Sequence, residues 1–173
     1  NVAMFGLQVD LGRGFADALN PLDRETPAYA VQGRDMLVNV SRVQGSVYAD
    51  RLIGGGAGNF LTLQVVSEAF DPGPGDDTID GLGGVDVVDY GGSAQPIFVD
   101  MSLAQGQAQG AWGSIDTLIN IEMVQGTPYA DVFLGSETNT PSGPTVEAFE
   151  GRAGADWIAG RGGVDAAIYL NDI

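Results

Sequence analysis

The sequence predicts an all-β chain wound as a parallel β-solenoid, built from two imperfect repeat units with irregular loop insertions. Three observations predict it: two nine-residue blocks back to back at 72–89, a duplication covering most of the chain, and apolar residues recurring at intervals of nine. Each block ends in a triplet with a large apolar residue at its centre. Such a triplet suits a short strand whose central side chain alone turns inward. One turn and one short strand cannot bury that side chain unaided, so the blocks must stack on one another.

The first block is Pro72-Gly73-Pro74-Gly75-Asp76-Asp77-Thr78-Ile79-Asp80, and the second is Gly81-Leu82-Gly83-Gly84-Val85-Asp86-Val87-Val88-Asp89. Glycine at 75 and 84 permits the positive φ of a tight turn. The sixth residue, Asp77 or Asp86, sets a hard carboxylate oxygen beside turn carbonyls, which suits Ca2+. In an ordinary β turn the same Asp caps its own loop and binds no metal.

The duplication is read from ordered matches. Asp35-Met36-Leu37-Val38-Asn39-Val40 returns as Asp116-Thr117-Leu118-Ile119-Asn120-Ile121, and Val43-Gln44-Gly45-Ser46 as Val124-Gln125-Gly126-Thr127, both at an offset of 81 (116 − 35). Glu68-Ala69-Phe70 matches Glu147-Ala148-Phe149 at an offset of 79, which holds through Gly75/Gly154, Asp77/Asp156, Gly84/Gly163, Asp86/Asp165 and Tyr90/Tyr169. Upstream, Leu11-Gly12-Arg13-Gly14 answers Leu103-Ala104-Gln105-Gly106 at an offset of 92, so the first unit carries about eleven extra residues around 18–29. The chain therefore reads as one domain, 1–173, with unit 1 at about 1–90 and unit 2 at about 91–173.

Counting back by nines from Asp86 gives Asp77, Glu68, Asn59 and Asp50, and two residues after each comes Val88, Ile79, Phe70, Leu61 and Leu52. In unit 2 the series is Asp165, Asp156, Glu147 and, after a break, Asp131, followed by Ala167, Ile158, Phe149 and Phe133. The break falls in a Pro-rich stretch, 136–145, that reads as a loop. The seventh position of each block faces solvent, yet it holds Phe60, Val87, Val132 and Trp157. An apolar flank of this kind predicts a covering loop or a neighbouring chain.

Charge narrows the partners. The 173 residues carry 23 acidic groups against 7 basic ones, all Arg, with no His and no Cys, for a net charge of −16. This argues against nucleic acid and anionic membrane surfaces and for cations. A hydrophobic content of 44% excludes a disordered acidic tail. Without His, Cys or Lys the usual nucleophile–base pairs are missing, which predicts a protein that is not an enzyme. No apolar run is long enough for a transmembrane segment. No signal peptide opens the sequence, so Asn1 reads as the start of a processed product or a fragment.

Both blocks fit G-G-x-G-x-D-x-U-x loosely, where U is a large apolar residue. Residues 116–135 also read closely as D-T-L-x-N-I-E-x-V-x-G-S-x-x-A-D-x-L-x-G, and 35–54 more loosely, with Ser41 in place of Glu122. On these motifs, over most of its length, the sequence resembles the RTX (hemolysin-type) calcium-binding β-roll proteins. The resemblance implies a right-handed parallel β-roll, Ca2+ as cofactor, and a secreted, extracellular or cell-surface location. It implies metal ligands at Asp77, Asp86, Asp156 and Asp165, in turns formed with Gly75, Gly84, Gly154 and Gly163. Glu68, Glu147, Asp50 and Asp131 are further candidates, while Asp35 and Asp116 suit a turn role. Sites join acidic turns two blocks apart: Asp86 with Glu68, Glu68 with Asp50, Asp77 with Asn59, and Asp165 with Glu147. Glutamate at 68 and 147 departs from the pattern, so few sites are expected rather than a regular double row. The implied function is a calcium-binding structural module of a larger extracellular protein or assembly, with possible self-association. The alternatives are an accessory module of a secreted polysaccharide-modifying enzyme or protease, and a carbohydrate-binding β-helix. A catalytic domain encoded upstream would favour the first alternative. A groove lined with Trp112, Trp157 or tyrosines would favour the second.

Overall fold

The structure, a computed structural model, describes residues 6–18, 34–56, 67–102, 106–137 and 146–170. Among the described residues every regular element is a strand except one 3-10 turn at Ala111–Gly113. Unit 1 holds β1 (Leu7–Asp10), β2 (Phe15–Ala18), β3 (Asp35–Met36), β4 (Arg42–Gln44), β5 (Arg51–Ile53), β6 (Ala69–Asp71), β7 (Thr78–Asp80) and β8 (Val87–Asp89). Unit 2 holds β9 (Phe98–Asp100), β10 (Gly106–Gln109), β11 (Ile115–Ile119), β12 (Met123–Gln125), β13 (Val132–Leu134), β14 (Val146–Glu150), β15 (Trp157–Ala159) and β16 (Val164–Ile168).

The strands form two sheets. One runs β15-β13-β9-β10-β11-β7-β5-β1-β2-β3 and the other β16-β14-β12-β8-β6-β4. From β4 to β9, and again from β11 to β16, each strand lies in the sheet opposite to the one before it. Neighbours such as β5 and β7, β6 and β8, or β12 and β14 are parallel and in register. Each unit adds one antiparallel set, β1-β2-β3 and β9-β10-β11.

Short strands follow from the triplets. In β6, β7, β8, β12 and β13 only the central residue is fully buried. Leu52, Ile79 and Leu118 stack in one sheet, and Phe70, Val88, Val124 and Phe149 in the other. Both rows belong to one core, and the Phe133 and Phe149 rings meet across it at 5.5 Å between centroids. Each such buried side chain contributes about 1.5–3 kcal/mol, which holds three-residue strands that hydrogen bonding alone would not.

The duplication in the text is a duplication of strands. The offset of 81 carries β4 onto β12 and β5 onto β13, and the offset of 79 carries β7 onto β15 and β6 and β8 onto the ends of β14 and β16. A further match, Val9-Asp10 with Val99-Asp100 at an offset of 90, aligns β1 with β9.

The count by nines needs correction between Asp50 and Glu68. Leu52 pairs directly with Ile79, and Val43 directly with Phe70. From Leu52 to Phe70 the chain takes one step of 18 residues, where Phe70 to Ile79 and Ile79 to Val88 take nine. Unit 2 has the same long step, 16 residues from Phe133 to Phe149. Asn59, Phe60 and Leu61, residues 138–145 and most of the 18–29 insert lie outside the described residues. The inward row also thins at one end, where Ile158 is half-buried and Ala167 exposed, because β15 and β16 are outermost in their sheets. No helix among the described residues is long and apolar enough to cross a membrane.

Candidate metal centre

The Asp of each block stands just before its strand, so its own N–H emerges where sheet pairing has not yet begun. A carboxylate from the adjacent layer accepts it. On the first sheet's edge, Asp50 N–H donates to Asp77 Oδ1 at 2.7 Å and Asp77 N–H to Asp116 Oδ1 at 3.0 Å. Asp131 N–H donates to Asp156 Oδ1 at 2.8 Å. On the second sheet's edge, Glu68 N–H donates to Asp86 Oδ1 at 2.9 Å and Asp86 N–H to Glu122 Oε2 at 2.8 Å. Glu147 accepts a different donor, the Ser136 N–H from the turn that follows β13 of the first sheet, at 2.8 Å. These buried N–H groups would otherwise be orphaned.

The acidic residues therefore sort into two files, and the sorting revises the expected pairs. Asp86 and Glu68 are neighbours through the Glu68 N–H, and Asp165 lies close enough to Glu147 to raise its pKa. Asp50 belongs to the file of Asp77, and Glu68 to that of Asp86, because the 18-residue step moves the count across to the other sheet. Asn59, the expected partner of Asp77, lies outside the described residues. Glu122 and Asp116 join the files without having been candidates for metal. Glu122 was visible as the E of N-I-E, one strand start away from Met123. Asp116 also accepts the Tyr90 hydroxyl at 2.9 Å, both groups being fully buried.

Two kinds of turn recur before these aspartates among the described residues. In the first, at 45–50 and 126–131, a hydroxyl residue sits four before the Asp. Thr127 donates its N–H to Asp131 Oδ2 at 2.6 Å and its hydroxyl to Oδ1 at 2.8 Å, and Ile97 N–H adds a third bond at 2.8 Å. Ser46 gives Asp50 the same two donors, and Leu7 N–H completes the set. In the second kind, at 72–77 and 81–86, no hydroxyl is present. Leu82, held at φ 63°, turns its N–H to Asp80 Oδ1 instead. Asp77 Oδ2, Asp86 Oδ2 and Glu68 Oε2 are left buried with no hydrogen-bond partner.

Glycine shapes the second kind. Gly75, Gly84, Gly154 and Gly163 have φ of 137°, 144°, 128° and 121°. A Cβ at Gly75 would come within 2.6 Å of the Tyr48 carbonyl carbon, and one at Gly154 within 2.5 Å of the Tyr129 oxygen. Conformation therefore calls for glycine at all four positions, and close stacking calls for it as well at Gly75 and Gly154.

Burial raises the carboxyl pKa values. Asp77 is pushed up to about 8, first by desolvation and then by the charges of Asp116, Asp50 and Asp76, against the Asp50 N–H that lowers it. Glu68 rises to about 7 through desolvation and the facing Asp86 carboxyl. Asp116 rises to about 6 through desolvation, opposed by the Asp77 N–H and the Tyr90 hydroxyl. Desolvation also raises Asp86, Glu122, Asp131 and Glu147.

Buried carboxylate oxygens that lack a donor need a proton or a cation. Oxygen is the ligand that Ca2+ takes, so the donor chemistry fits. No group of three or more metal-ligating side chains gathers at one point among the described residues. The remaining oxygens of a six- to eight-fold shell would thus come from turn carbonyls and water. No family model, curated protein or solved structure matches the chain.

Proposed function

We propose that the chain is a calcium-binding structural module of the RTX type, with its two sheets forming the walls of a β-solenoid. The observation that carries this is the set of buried, unpartnered oxygens on Asp77 and Asp86, in the glycine turns, and on Glu68, which faces Asp86. Glu68 with Asp86 on one edge, and Asp77 on the other, are the residues that would hold Ca2+, with Asp156 and Asp165 as their unit 2 counterparts. The bound ion would neutralise facing carboxylates and lock each turn to the next, so binding and folding are linked. A chain of charge −16 with 7 basic residues has little other means of neutralising these edges. No catalytic role is proposed. A secreted or cell-surface setting fits, because extracellular modules work with sites of about 10⁻⁴–10⁻³ M.

The carbohydrate reading has less support. Trp112 packs against the core, which leaves Trp157 as the exposed tryptophan. The test of the main reading is a thermal melt. Ca2+ at 100 times its dissociation constant adds about 2.7 kcal/mol per site, so the midpoint should rise well clear of that in EGTA. Mg2+ should do much less, because it demands a small octahedral shell. A melt that is the same with Ca2+ and with chelator would overturn the proposal.

A further inference from the structure

The chain contains, at its centre, a junction between the end of one unit and the start of the next. The last strands of unit 1, β7 and β8, pair in parallel with β11 and β12 of unit 2. Thr78 faces Thr117, Ile79 faces Leu118, and Val88 faces Val124. By the repeat offsets, the counterparts of β7 and β8 are β15 and β16, and those of β11 and β12 are β3 and β4. These four strands are the outermost strands of the two sheets. The two outer edges of the described sheets are thus homologous to two surfaces that the molecule already joins.

Burial marks the difference. Tyr90, at the internal junction, is 0% exposed and bonds Asp116, whereas its counterpart Tyr169 is 69% exposed and that of Asp116, Asp35, is exposed. Met36 is 74% exposed and Trp157 68% exposed, and the internal register sets these two face to face. The same register sets Leu37 on Ile158 and Val43 on Ala167, continuing both inward rows. It also brings Tyr169 to Asp35. Where the internal junction presses Asp86 against Glu122, the other would set Asp165 beside Ser41, one carboxylate fewer.

We propose that copies of this chain associate head to tail, β15 and β16 of one docking on β3 and β4 of the next in the register of the internal junction. The contact is heterologous and does not close by itself, so it builds open filaments. It deepens the structural-module reading above but rests on the strand duplication and not on calcium. Net charge opposes it, so it strengthens as salt screens the −16.

The test uses cysteine pairs, since the chain has none of its own. Met36→Cys with Trp157→Cys places thiols on directly paired positions, both at exposed sites that leave the core intact. Met36→Cys with Ala159→Cys places them two residues out of register, beyond the Cα separation a disulfide spans. Each purified 173-residue variant is incubated at high ionic strength without calcium, with oxidised glutathione as electron acceptor. The in-register pair should form reducible dimers and longer species about tenfold faster than the out-of-register pair. Equal rates, monomers alone, or a disulfide closed within one monomer would each overturn the proposal. None of these results bears on the calcium melt.

Discussion

The turn before Asp131 and the turn before Asp86 present the same residue to the same kind of sheet edge, yet they leave it in opposite states. Asp131 receives three donors, two from Thr127 and one from Ile97. Asp86 receives one N–H, from Glu68, and keeps Oδ2 buried and unpartnered. The difference lies four residues upstream. A threonine in ordinary backbone turns two donors inward, whereas Leu82 at positive φ sends its N–H elsewhere. The hydroxyl turns are complete without metal, and the glycine turns are incomplete without a proton or a cation. An aspartate in a repeat is thus not one kind of residue, and its turn decides whether it caps or waits for a ligand.

The largest effect should come from breaking a completed turn. Asp131→Ala removes one carboxylate and strands three donors in the interior, which costs about 3 kcal/mol or more. The loss should be the same in Ca2+ and in EGTA, as read from urea melts in each. A loss confined to the Ca2+ condition would move Asp131 from the capping class to the ligand class.

The glycine turns should respond the other way. Asp86→Asn keeps an oxygen for the Glu68 N–H but takes one charge from the facing pair. Without metal the melting midpoint should rise by a few degrees, because the buried repulsion is gone. With Ca2+ most of the increment should vanish. A variant that is destabilised in EGTA yet keeps its full calcium response would break the distinction between the two turns.

A pH scan sharpens it further. Asp77, Glu68 and Asp116, with folded values of about 8, 7 and 6, hold protons that the unfolded chain has already lost above its ordinary carboxyl range near 4. In that window the native state binds more protons than the unfolded one, so stability falls as pH rises. The metal-free protein should therefore lose stability steadily from about pH 4.5 to pH 8. Saturating Ca2+ should flatten the slope, since the cation replaces the protons. A metal-free melt that improves over that range would refute the raised values.

The strand pattern was legible because three-residue strands with one inward residue leave a period that survives substitution. Val88, Ile79, Phe70 and Leu52 are all fully buried, as the spacing requires. The duplication was legible for the same reason. The long step between Leu52 and Phe70 was not, because Glu68, Asn59 and Asp50 keep the count of nine, whereas Leu52 and Phe70, 18 residues apart, stand in opposite sheets. The count then paired Asp50 with the wrong file. The donor sets were beyond a ligand-centred reading. Ser46 and Thr127 sit in the text as unremarked members of the match, and their role depends on a contact across four residues of turn. Glu122 stands in plain view as the E of N-I-E, but the motif alone does not show that its carboxylate accepts the Asp86 N–H, 36 residues away.

The smallest effect should come from the hydroxyl itself. Thr127→Val keeps the volume and the backbone N–H but removes the bond to Asp131 Oδ1 and the acceptor that Tyr129 N–H uses at 3.0 Å. Ile97 N–H and the Thr127 backbone still reach the carboxylate, so the turn survives. The expected cost is about 1–2 kcal/mol, set by a buried oxygen left with less than its full complement. Thr127→Ser should cost less, because unit 1 already runs the same turn with Ser46. The Val variant also moves Asp131 toward the condition of Asp86, a buried carboxylate short of donors. It should therefore gain a small dependence on Ca2+ that the Ser variant lacks, measured as the difference in melting midpoint with and without EGTA. Were both variants equally indifferent to Ca2+, a missing hydroxyl would not be what separates the two kinds of turn, and the glycine backbone would have to supply the whole difference.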